Sequence, residues 1–284
     1  MPLLLLILLL FPALAPAAAP ENFNQAKTRL VKIHRELARQ FPEAKRDFYC
    51  QCRINSEFED SRCEENYFTK SGKQTLIQDT TLSWEHVLPA NLMEQTMGVN
   101  RENTRQCRLP GDFVKPFPPW EACDTTEEQA RVRAFHALEG NLYNLVPSAL
   151  TPNMARRNYP LVPLPGQERL VGCPLRVAKA NNIKVKEPKG KQGFLWKEAP
   201  AWQAEIPLHK MGLVSRIYLY LDAAYPELRL QDQLPHSDQW TSWNQQFPPS
   251  EFECARYRLI LKETNQPNPV MAQACLPQGL AKQE

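Results

Sequence analysis

The chain has 284 residues, and its formal net charge of +3 is mildly basic, which is compatible with a polyanionic partner but identifies none. This length is enough for one large domain or two small ones. Beyond the amino-terminal segment no apolar run is long enough to cross a bilayer, which argues against a membrane-spanning mature protein. No internal repeat is found, which argues against a repeat architecture.

The amino-terminal segment has the pattern of an export signal. Residues 1–19 contain no charged side chain, and an unbroken apolar run near their start is followed by alanines and prolines. This pattern predicts a signal peptide that is cleaved between Ala15 and Ala19. We therefore expect a signal peptide at residues 1–19, one domain at residues 20–284, and a mature protein that is periplasmic or secreted.

Cysteine usage agrees with export. In an exported protein an even number of cysteines predicts up to four disulfides, although their spacing does not define the pairing. A zinc hydrolase is a weaker hypothesis, because the sequence has no His-Glu-x-x-His motif and only one close cysteine pair. The eight cysteines all follow the predicted signal and are Cys50, Cys52, Cys63, Cys107, Cys123, Cys173, Cys254 and Cys275.

The first half of the chain is predicted to contain a helix, two extended segments and a long loop. Apolar residues at three- and four-residue steps predict a helix over residues 22–41, with Asn24 as its N-cap. Residues 47–54 are predicted to form a strand with two cysteines on one face, and residues 75–87 are predicted to be extended. Residues 91–124 are irregular, and we expect an ordered loop that its two cysteines hold.

The second half is predicted to alternate between short strands and helices. Pro152 suits the first turn of a helix, from which Asn153 would project. Trp240 and Trp243 fall on one helical face and are predicted to pack in the core. The predicted elements, in order, are a helix at 124–140, a strand at 141–147, short strands at 173–177 and 183–185, and helices at 211–225 and 252–264.

One dipeptide has the residue types that metal-assisted hydrolysis requires. Glu85 offers a hard oxygen ligand, and the adjacent His86 offers a general base. The pair alone is common, and a surface Glu beside a hydrogen-bonded His is the simpler interpretation. Asn153 alone is likewise typical of a helix cap. The order of a strand with Glu-His, a long loop, a second strand and a helix with Asn153 favours a joint site.

Several motifs together resemble the endonuclease I family of periplasmic and secreted bacterial nucleases, and the eight cysteines also fall in the family's order. The resemblance covers nearly the whole mature chain. The motifs are Phe48-Tyr-Cys-Gln-Cys52, Trp84-Glu-His-Val-Leu-Pro-Ala90, Asn141-Leu-Tyr-Asn-Leu-Val-Pro147, Ser215-Arg-Ile-Tyr-Leu-Tyr220, Trp243-Asn244, Phe252-Glu-Cys254 and the segment from Asn268 to Cys275.

The resemblance implies a fold and a set of roles. The fold would be α+β, a mixed α/β single domain with a ββα-metal active-site core that disulfides staple. Glu85 and Asn153 resemble the direct metal ligands, and His86 resembles the general base. Glu139 resembles a second acidic residue of the site that acts through a water molecule of the metal. Arg156 matches a catalytic-site arginine just after the metal-binding asparagine.

Some positions depart from the family pattern. Tyr143 stands where a histidine is usual, and Met154 and Ala155 replace a glycine and an aspartate. The family also uses an arginine a few residues before the cysteine that corresponds to Cys123, and here none is present. Four loop residues remain as alternatives for that role: Arg101, Arg105, Arg108 and Lys115.

The implied reaction is metal-dependent hydrolysis of DNA, and of RNA as an alternative substrate. Mg²⁺ is the expected cofactor, with Mn²⁺ or Ca²⁺ as substitutes, because carboxylate and amide oxygens suit hard cations. His86 must be neutral to accept a proton, so we expect a backbone carbonyl on its other ring nitrogen. The resemblance implies 5′-phosphate products, little sequence preference and a monomer. The alternative is an exported, disulfide-rich nucleic-acid-binding protein with weakened catalysis.

Overall fold

The computed structural model describes residue 20 and residues 22–63, 67–70, 73–77, 81–99, 126–164, 173, 175–188, 194–206 and 208–275. The predicted signal peptide lies outside the described residues. So do the four candidate basic residues of the loop and two cysteines, Cys107 and Cys123.

The described residues contain nine α-helices. None of them is long and apolar enough to cross a membrane. They are α1 (Phe23–Leu37), α2 (Ala90–Met97), α3 (Thr126–Glu139), α4 (Leu150–Arg156), α5 (Met211–Ala224), α6 (Leu230–Gln233), α7 (Trp240–Gln246), α8 (Glu251–Thr264) and α9 (Pro269–Ala274).

The strands of the described part of the chain form three separate sheets. A five-stranded mixed sheet has the order β4-β3-β8-β9-β7, and two-stranded sheets pair β1 with β2 and β5 with β6. The strands are β1 (Arg53–Ile54), β2 (Ser61–Arg62), β3 (Tyr67–Lys70), β4 (Lys73–Leu76), β5 (Leu82–His86), β6 (Leu145–Ala149), β7 (Leu161–Val162), β8 (Arg176–Pro188) and β9 (Phe194–Glu205).

The antiparallel pair of β5 and β6 is the part of the fold that positions the candidate site. The register places Glu85 opposite Val146 and His86 opposite Leu145. Every residue of β6 is buried, so this strand fixes β5 against the core. Helix α4 follows β6 directly, and the Leu150 N–H donates to the Thr81 carbonyl at 3.1 Å, which turns the start of α4 back toward β5.

Helix α5 supplies much of the core on which these elements rest. Its sequence predicts an apolar stripe of Leu213, Ile217, Tyr220, Leu221 and Ala224. Of these, Ile217, Tyr220 and Leu221 are buried, whereas Leu213 is half-buried and Ala224 is exposed. Trp240 and Trp243 of α7 are also buried, which confirms their predicted place in the core. The mixture of helices and sheets agrees with the predicted α+β class.

Disulfides join distant parts of the fold, as the cysteine count predicted. Three are present among the described residues. Cys50 pairs with Cys173, Cys52 pairs with Cys63, and Cys254 pairs with Cys275. The first joins segments 123 positions apart and therefore removes more conformational entropy from the unfolded chain than the other two.

The predicted strand over residues 47–54 is wrong, because only β1 is extended there and residues 48–50 form a turn. The Asp47 carboxylate accepts hydrogen bonds from the backbone N–H groups of Tyr49, Cys50 and Cys52. A short acidic side chain that bonds nearby backbone N–H groups stabilises a turn in competition with a strand.

Other boundaries also differ from the prediction. The predicted strand at 141–147 is a 3-10 helix over Leu142–Asn144 that leads into β6, and the short strands predicted at 173–177 and 183–185 correspond to the single strand β8. Asn22, and not Asn24, caps α1, since its side chain accepts from the Gln25 N–H at 3.0 Å. Part of the predicted irregular loop is helix α2, which ends at Gly98 in the left-handed conformation that favours glycine. The extended segment at 75–87 contains parts of two strands, β4 and β5, which belong to different sheets.

Candidate active site

Glu85 lies near the end of β5 and is 5% exposed. Its Oε1 atom accepts a hydrogen bond from the Tyr49 hydroxyl at 2.7 Å and another from Arg156 Nη1 at 2.8 Å. Burial raises the pKa of the Glu85 carboxyl, while the Arg156 charge and the Tyr49 hydrogen bond act in the opposite direction. Because Tyr49 and Arg156 both donate to Oε1, these two donors leave Oε2 as the oxygen that a metal ion could take.

Asn153 reaches the same face of β5 from helix α4. Its Nδ2 atom donates to the Ser83 hydroxyl at 2.9 Å. Ser83 and Glu85 are two positions apart in a strand, so their side chains point to one face of the sheet. The amide of Asn153 is thus brought to the side of β5 that carries the Glu85 carboxylate, across 70 positions of sequence.

Arg156 is 1% exposed and lies beneath the end of β5. Besides Glu85, its Nη1 atom donates to the His86 carbonyl at 2.7 Å, and its Nη2 atom donates to the Val87 carbonyl at 2.6 Å. The family resemblance predicted Arg156 as a catalytic residue. In the structure its guanidinium contacts the Glu85 carboxylate and the backbone carbonyls at the end of β5.

His86 is half-buried, and its Nε2 atom lies 2.9 Å from the main-chain carbonyl of Glu139. A carbonyl oxygen can only accept, so Nε2 carries the proton and Nδ1 keeps the lone pair in the neutral ring. The expectation of a backbone carbonyl on one ring nitrogen is confirmed. The ring of Phe23 covers His86, with 4.7 Å between centroids and 38° between planes.

Glu139 is the last residue of α3, and its main chain and its side chain make different contacts. Its carbonyl holds His86, and its carboxylate lies 3.7 Å from Nδ1 of His136, one turn earlier on the same helix. The chain turns directly after it at Gly140 and leads through a short 3-10 helix into β6. The end of α3 therefore lies beside the end of β5, where the sequence order alone could not place it.

Sequence reasoning gave no role to Asp47, Tyr49, Ser83 or Phe23. Asp47 is fully buried and holds the turn from which Tyr49 reaches Glu85. Burial raises the pKa of Asp47, and the backbone N–H groups that it accepts oppose that effect. The sequence carried no signal for this role of Asp47, since the role depends on the burial of its side chain in the folded protein.

Asp47 also lies close to Cys50 and Cys52 in an arrangement that a metal could use. Both sulfur atoms are already bonded in disulfides, to Cys173 and to Cys63. A metal ligand must be a thiolate, so these atoms are excluded and Asp47 has a structural role.

Of the positions that depart from the family pattern, Tyr143 makes its contacts away from the site, whereas Met154 and Ala155 lie on α4 between Asn153 and Arg156. Tyr143 is 3% exposed, donates to the Gln266 carbonyl at 2.8 Å and packs edge-on against Tyr220 at 5.0 Å. Ala155 is buried on α4, whereas Met154 is 66% exposed beside Asn153. Tyr143 therefore belongs to the packing of the carboxy-terminal helices.

The sequence matches the endonuclease I family over residues 22–275. The chain is thus a nuclease by class. It belongs to the endonuclease I family, which confirms the resemblance that its motifs predicted.

Relatives of this chain include proteins of two bacteria. An extracellular deoxyribonuclease of Aeromonas hydrophila is 26% identical over 279 residues, which cover 96% of this chain and 98% of the relative. A periplasmic deoxyribonuclease of the same organism is 24% identical, with 91% and 89% covered. Endonuclease-1 of Buchnera aphidicola subsp. Acyrthosiphon pisum (strain APS) is 22% identical, with 90% and 82% covered.

Proposed function

We propose that this protein is an exported, metal-dependent endonuclease that hydrolyses phosphodiester bonds of DNA with little sequence preference and leaves 5′-phosphate products. The observation that carries the proposal is that α4 brings Asn153 into contact with Ser83, on the face of β5 that also carries Glu85, while His86 follows Glu85 at the end of the same strand. The names of the relatives support DNA as the substrate, with RNA as an alternative, and their extracellular and periplasmic locations support export.

The donor set fits a hard divalent cation. We propose that Oε2 of Glu85 and the amide oxygen of Asn153 hold Mg²⁺, for which Mn²⁺ or Ca²⁺ could substitute, since oxygen atoms are the ligands of such ions. Two protein ligands leave room for phosphate oxygens. When bound, the cation would stabilise the negative charge of the phosphate and of the leaving oxygen.

His86 is the proposed general base. Its protonated Nε2 faces the Glu139 carbonyl at 2.9 Å, so Nδ1 can accept the proton of the attacking water. The Glu139 carboxylate is proposed to orient water at the site. Because Arg156 contacts Glu85 and two backbone carbonyls, we propose that it positions the end of β5 and neutralises Glu85 before a cation arrives.

The second candidate is a nucleic-acid-binding protein with weakened catalysis, which the replacements at Tyr143 and Ala155 would favour. The contacts of Tyr143 with Gln266 and Tyr220 do not support it, since they account for that residue by packing. The partner in either case is the phosphate backbone of a nucleic acid, bound by a protein that we expect to be monomeric and free of the membrane in its mature form.

A plasmid-nicking assay tests the proposed function. The oxidised mature protein is expected to convert supercoiled DNA to open circles with Mg²⁺ and to lose this activity with EDTA. His86→Ala is expected to abolish cleavage while DNA affinity and folding stay nearly unchanged, because the base is used only in the reaction. Cleavage that persists in EDTA would refute metal dependence, and DNA binding without cleavage would favour the second candidate.

A further inference from the structure

The proposed general base, His86, makes a second contact, with an aromatic ring in the first turn of α1. We propose that Phe23 is a positioning residue for His86, an inference that rests on the proposed function. The Phe23 ring lies 4.7 Å from the His86 ring, centroid to centroid, with planes tilted by 38°. No motif of the sequence pointed to this residue.

One hydrogen bond does not define the plane of an imidazole. The contact between Nε2 of His86 and the Glu139 carbonyl fixes the tautomer and one direction, but this contact by itself does not oppose rotation of the ring about that line. A second aromatic ring against its face opposes this rotation. Together the two contacts define where the Nδ1 lone pair points, and the rate of proton transfer depends on that direction.

Phe23 is itself held in place. It is the first residue of α1, and the Asn22 side chain caps this helix through the Gln25 N–H at 3.0 Å. The Lys27 ammonium, one turn further along, lies 4.8 Å from the centroid of the Phe23 ring. This cation–π contact stabilises the ring orientation on the exposed side of the helix.

The two supports of His86 are joined to each other through the backbone. Gly140 follows Glu139, and a Cβ atom added there would lie 2.9 Å from the Asn22 carbonyl oxygen. The start of α1 and the end of α3 are thus in direct contact because residue 140 has no side chain. The Phe23 ring and the Glu139 carbonyl therefore contact His86 from two helices, α1 and α3, whose relative position is fixed by this contact.

A double comparison of leucine variants tests the inference in the oxidised mature protein. Phe23→Leu keeps apolar volume but removes the planar ring. Its matched control is Phe252→Leu, since Phe252 is also half-buried and also faces a histidine, His34, at 6.3 Å, outside the site. We expect Phe23→Leu to lower kcat by about tenfold, a part of what a general base contributes, with KM and the Mg²⁺ requirement unchanged.

Two further variants distinguish positioning from packing. Phe23→Tyr keeps the ring and is expected to retain kcat within about twofold, because the aromatic contact is preserved. In a His86→Ala background Phe23→Leu should have no further effect on the residual rate, since residues that act through one another are not additive. Equal losses of kcat for Phe23→Leu and Phe252→Leu would overturn the inference, and so would a loss confined to KM.

The ring contact is also measurable without catalysis. The chain has five histidines, so the His86 imidazole signal can be assigned by its loss in His86→Ala. In the wild-type spectrum this signal should show a ring-current shift that Phe23→Leu removes and Phe252→Leu does not. A wild-type protein that shows the shift but never cleaves DNA would refute the proposed function alone, whereas active protein without the shift would refute the role of Phe23.

Discussion

At the scale of single residues, the two oxygen atoms of the Glu85 carboxylate have different roles. Oε1 is taken by Tyr49 and Arg156, whereas Oε2 is proposed for the cation. A carboxylate held by two donors loses little rotational freedom when it binds a metal. Removal of Glu85 itself is a poor test, because it would leave the buried Arg156 without its partner, at a cost of about 3–5 kcal/mol in stability.

The Tyr49→Phe variant is the sharper test of the ligand. It removes the hydroxyl that donates to Oε1 at 2.7 Å and keeps the ring. The Mg²⁺ concentration for half-maximal cleavage is expected to rise about tenfold, which corresponds to about 1.4 kcal/mol and is typical for a hydrogen bond to a charged group. Titration of the cleavage rate with Mg²⁺, together with calorimetry of Mg²⁺ binding, measures the change.

Tyr143→Phe is the control for this prediction. Tyr143 is as deeply buried as Tyr49, and its hydroxyl makes a comparable hydrogen bond, at 2.8 Å, to a carbonyl outside the site. The two variants should lose similar stability, and only Tyr49→Phe should require more Mg²⁺. An identical Mg²⁺ requirement in both would reject Glu85 as a ligand that Tyr49 positions.

At the scale of elements, the approach of α1 to α3 determines how well His86 is held. Gly140→Ala introduces a Cβ atom 2.9 Å from one backbone oxygen and 3.2 Å from another, the carbonyl of His136. Since backbone atoms cannot rotate away, the two helices must separate. We expect kcat to fall by about 10- to 100-fold, because small displacements of a reacting group have effects of this size.

Ala134→Gly provides a matched comparison. Ala134 is an exposed residue of the same helix α3, and a glycine there weakens the helix by about 1 kcal/mol without adding an atom near α1. Thermal unfolding and steady-state kinetics of both variants separate the two effects. If Ala134→Gly lowers kcat as much as Gly140→Ala does, helix stability and not the spacing of α1 and α3 is responsible.

Much of this arrangement was predictable where the signal is local. The stripe of α5 and the Trp pair of α7 follow helical periodicity, and Glu85, His86 and Asn153 stand in short motifs. That they form one site was predicted from their order along the chain and from the family resemblance. Tyr49, Phe23 and Ser83 were not predictable, because each acts through a contact with a residue distant in sequence, and single-sequence patterns carry no information on such contacts.

The error at residues 47–54 has a similar cause. The alternation of residue types there matched a strand. The interaction that competes with a strand is made by the Asp47 carboxylate, which accepts hydrogen bonds from three backbone N–H groups of the same segment. Only the buried position of that carboxylate makes these hydrogen bonds strong enough to decide the local conformation. Burial is a property of the whole fold, so the segment could not be assigned by its own sequence.

At the scale of the whole molecule, His34 makes folding stability depend on pH. It is buried among aromatic rings, and burial, together with the charge of Arg256, lowers its pKa from 6.5 to about 3. The unfolded chain binds a proton near pH 6.5 and the folded chain does not. Acid therefore favours unfolding, and stability is lost by about 1.4 kcal/mol per pH unit as pH falls through this interval.

His34→Gln tests this statement by removing the titrating group. The variant should be less stable than the wild type at pH 7, because its contacts with Phe58 and Trp84 are lost. The difference in the free energy of unfolding should shrink as pH falls from 6.5 toward 4, since only the wild type is destabilised by proton uptake at this residue. Denaturant unfolding at several pH values measures it, and a constant difference would contradict the prediction.

The disulfides also act on the whole molecule, and unequally. Replacement of Cys50 and Cys173 by alanine opens a link across 123 positions and should reduce stability by about 3–5 kcal/mol. Because Cys50 adjoins Tyr49, the Mg²⁺ requirement should also rise. The paired control replaces Cys254 and Cys275, which are 21 positions apart, and should leave that requirement unchanged. Thermal unfolding and Mg²⁺ titration give both quantities.

The buried carboxylate of Asp47 has one more consequence. Besides the turn with Tyr49, it lies 3.5 Å from the backbone N–H of Ala149, the residue that precedes the helix of Asn153. A single side chain thus anchors both halves of the proposed cation cage. A transfer of this site to a different scaffold would therefore have to include Asp47, because that residue holds in place the segments that carry the proposed ligands without itself binding the cation or the DNA.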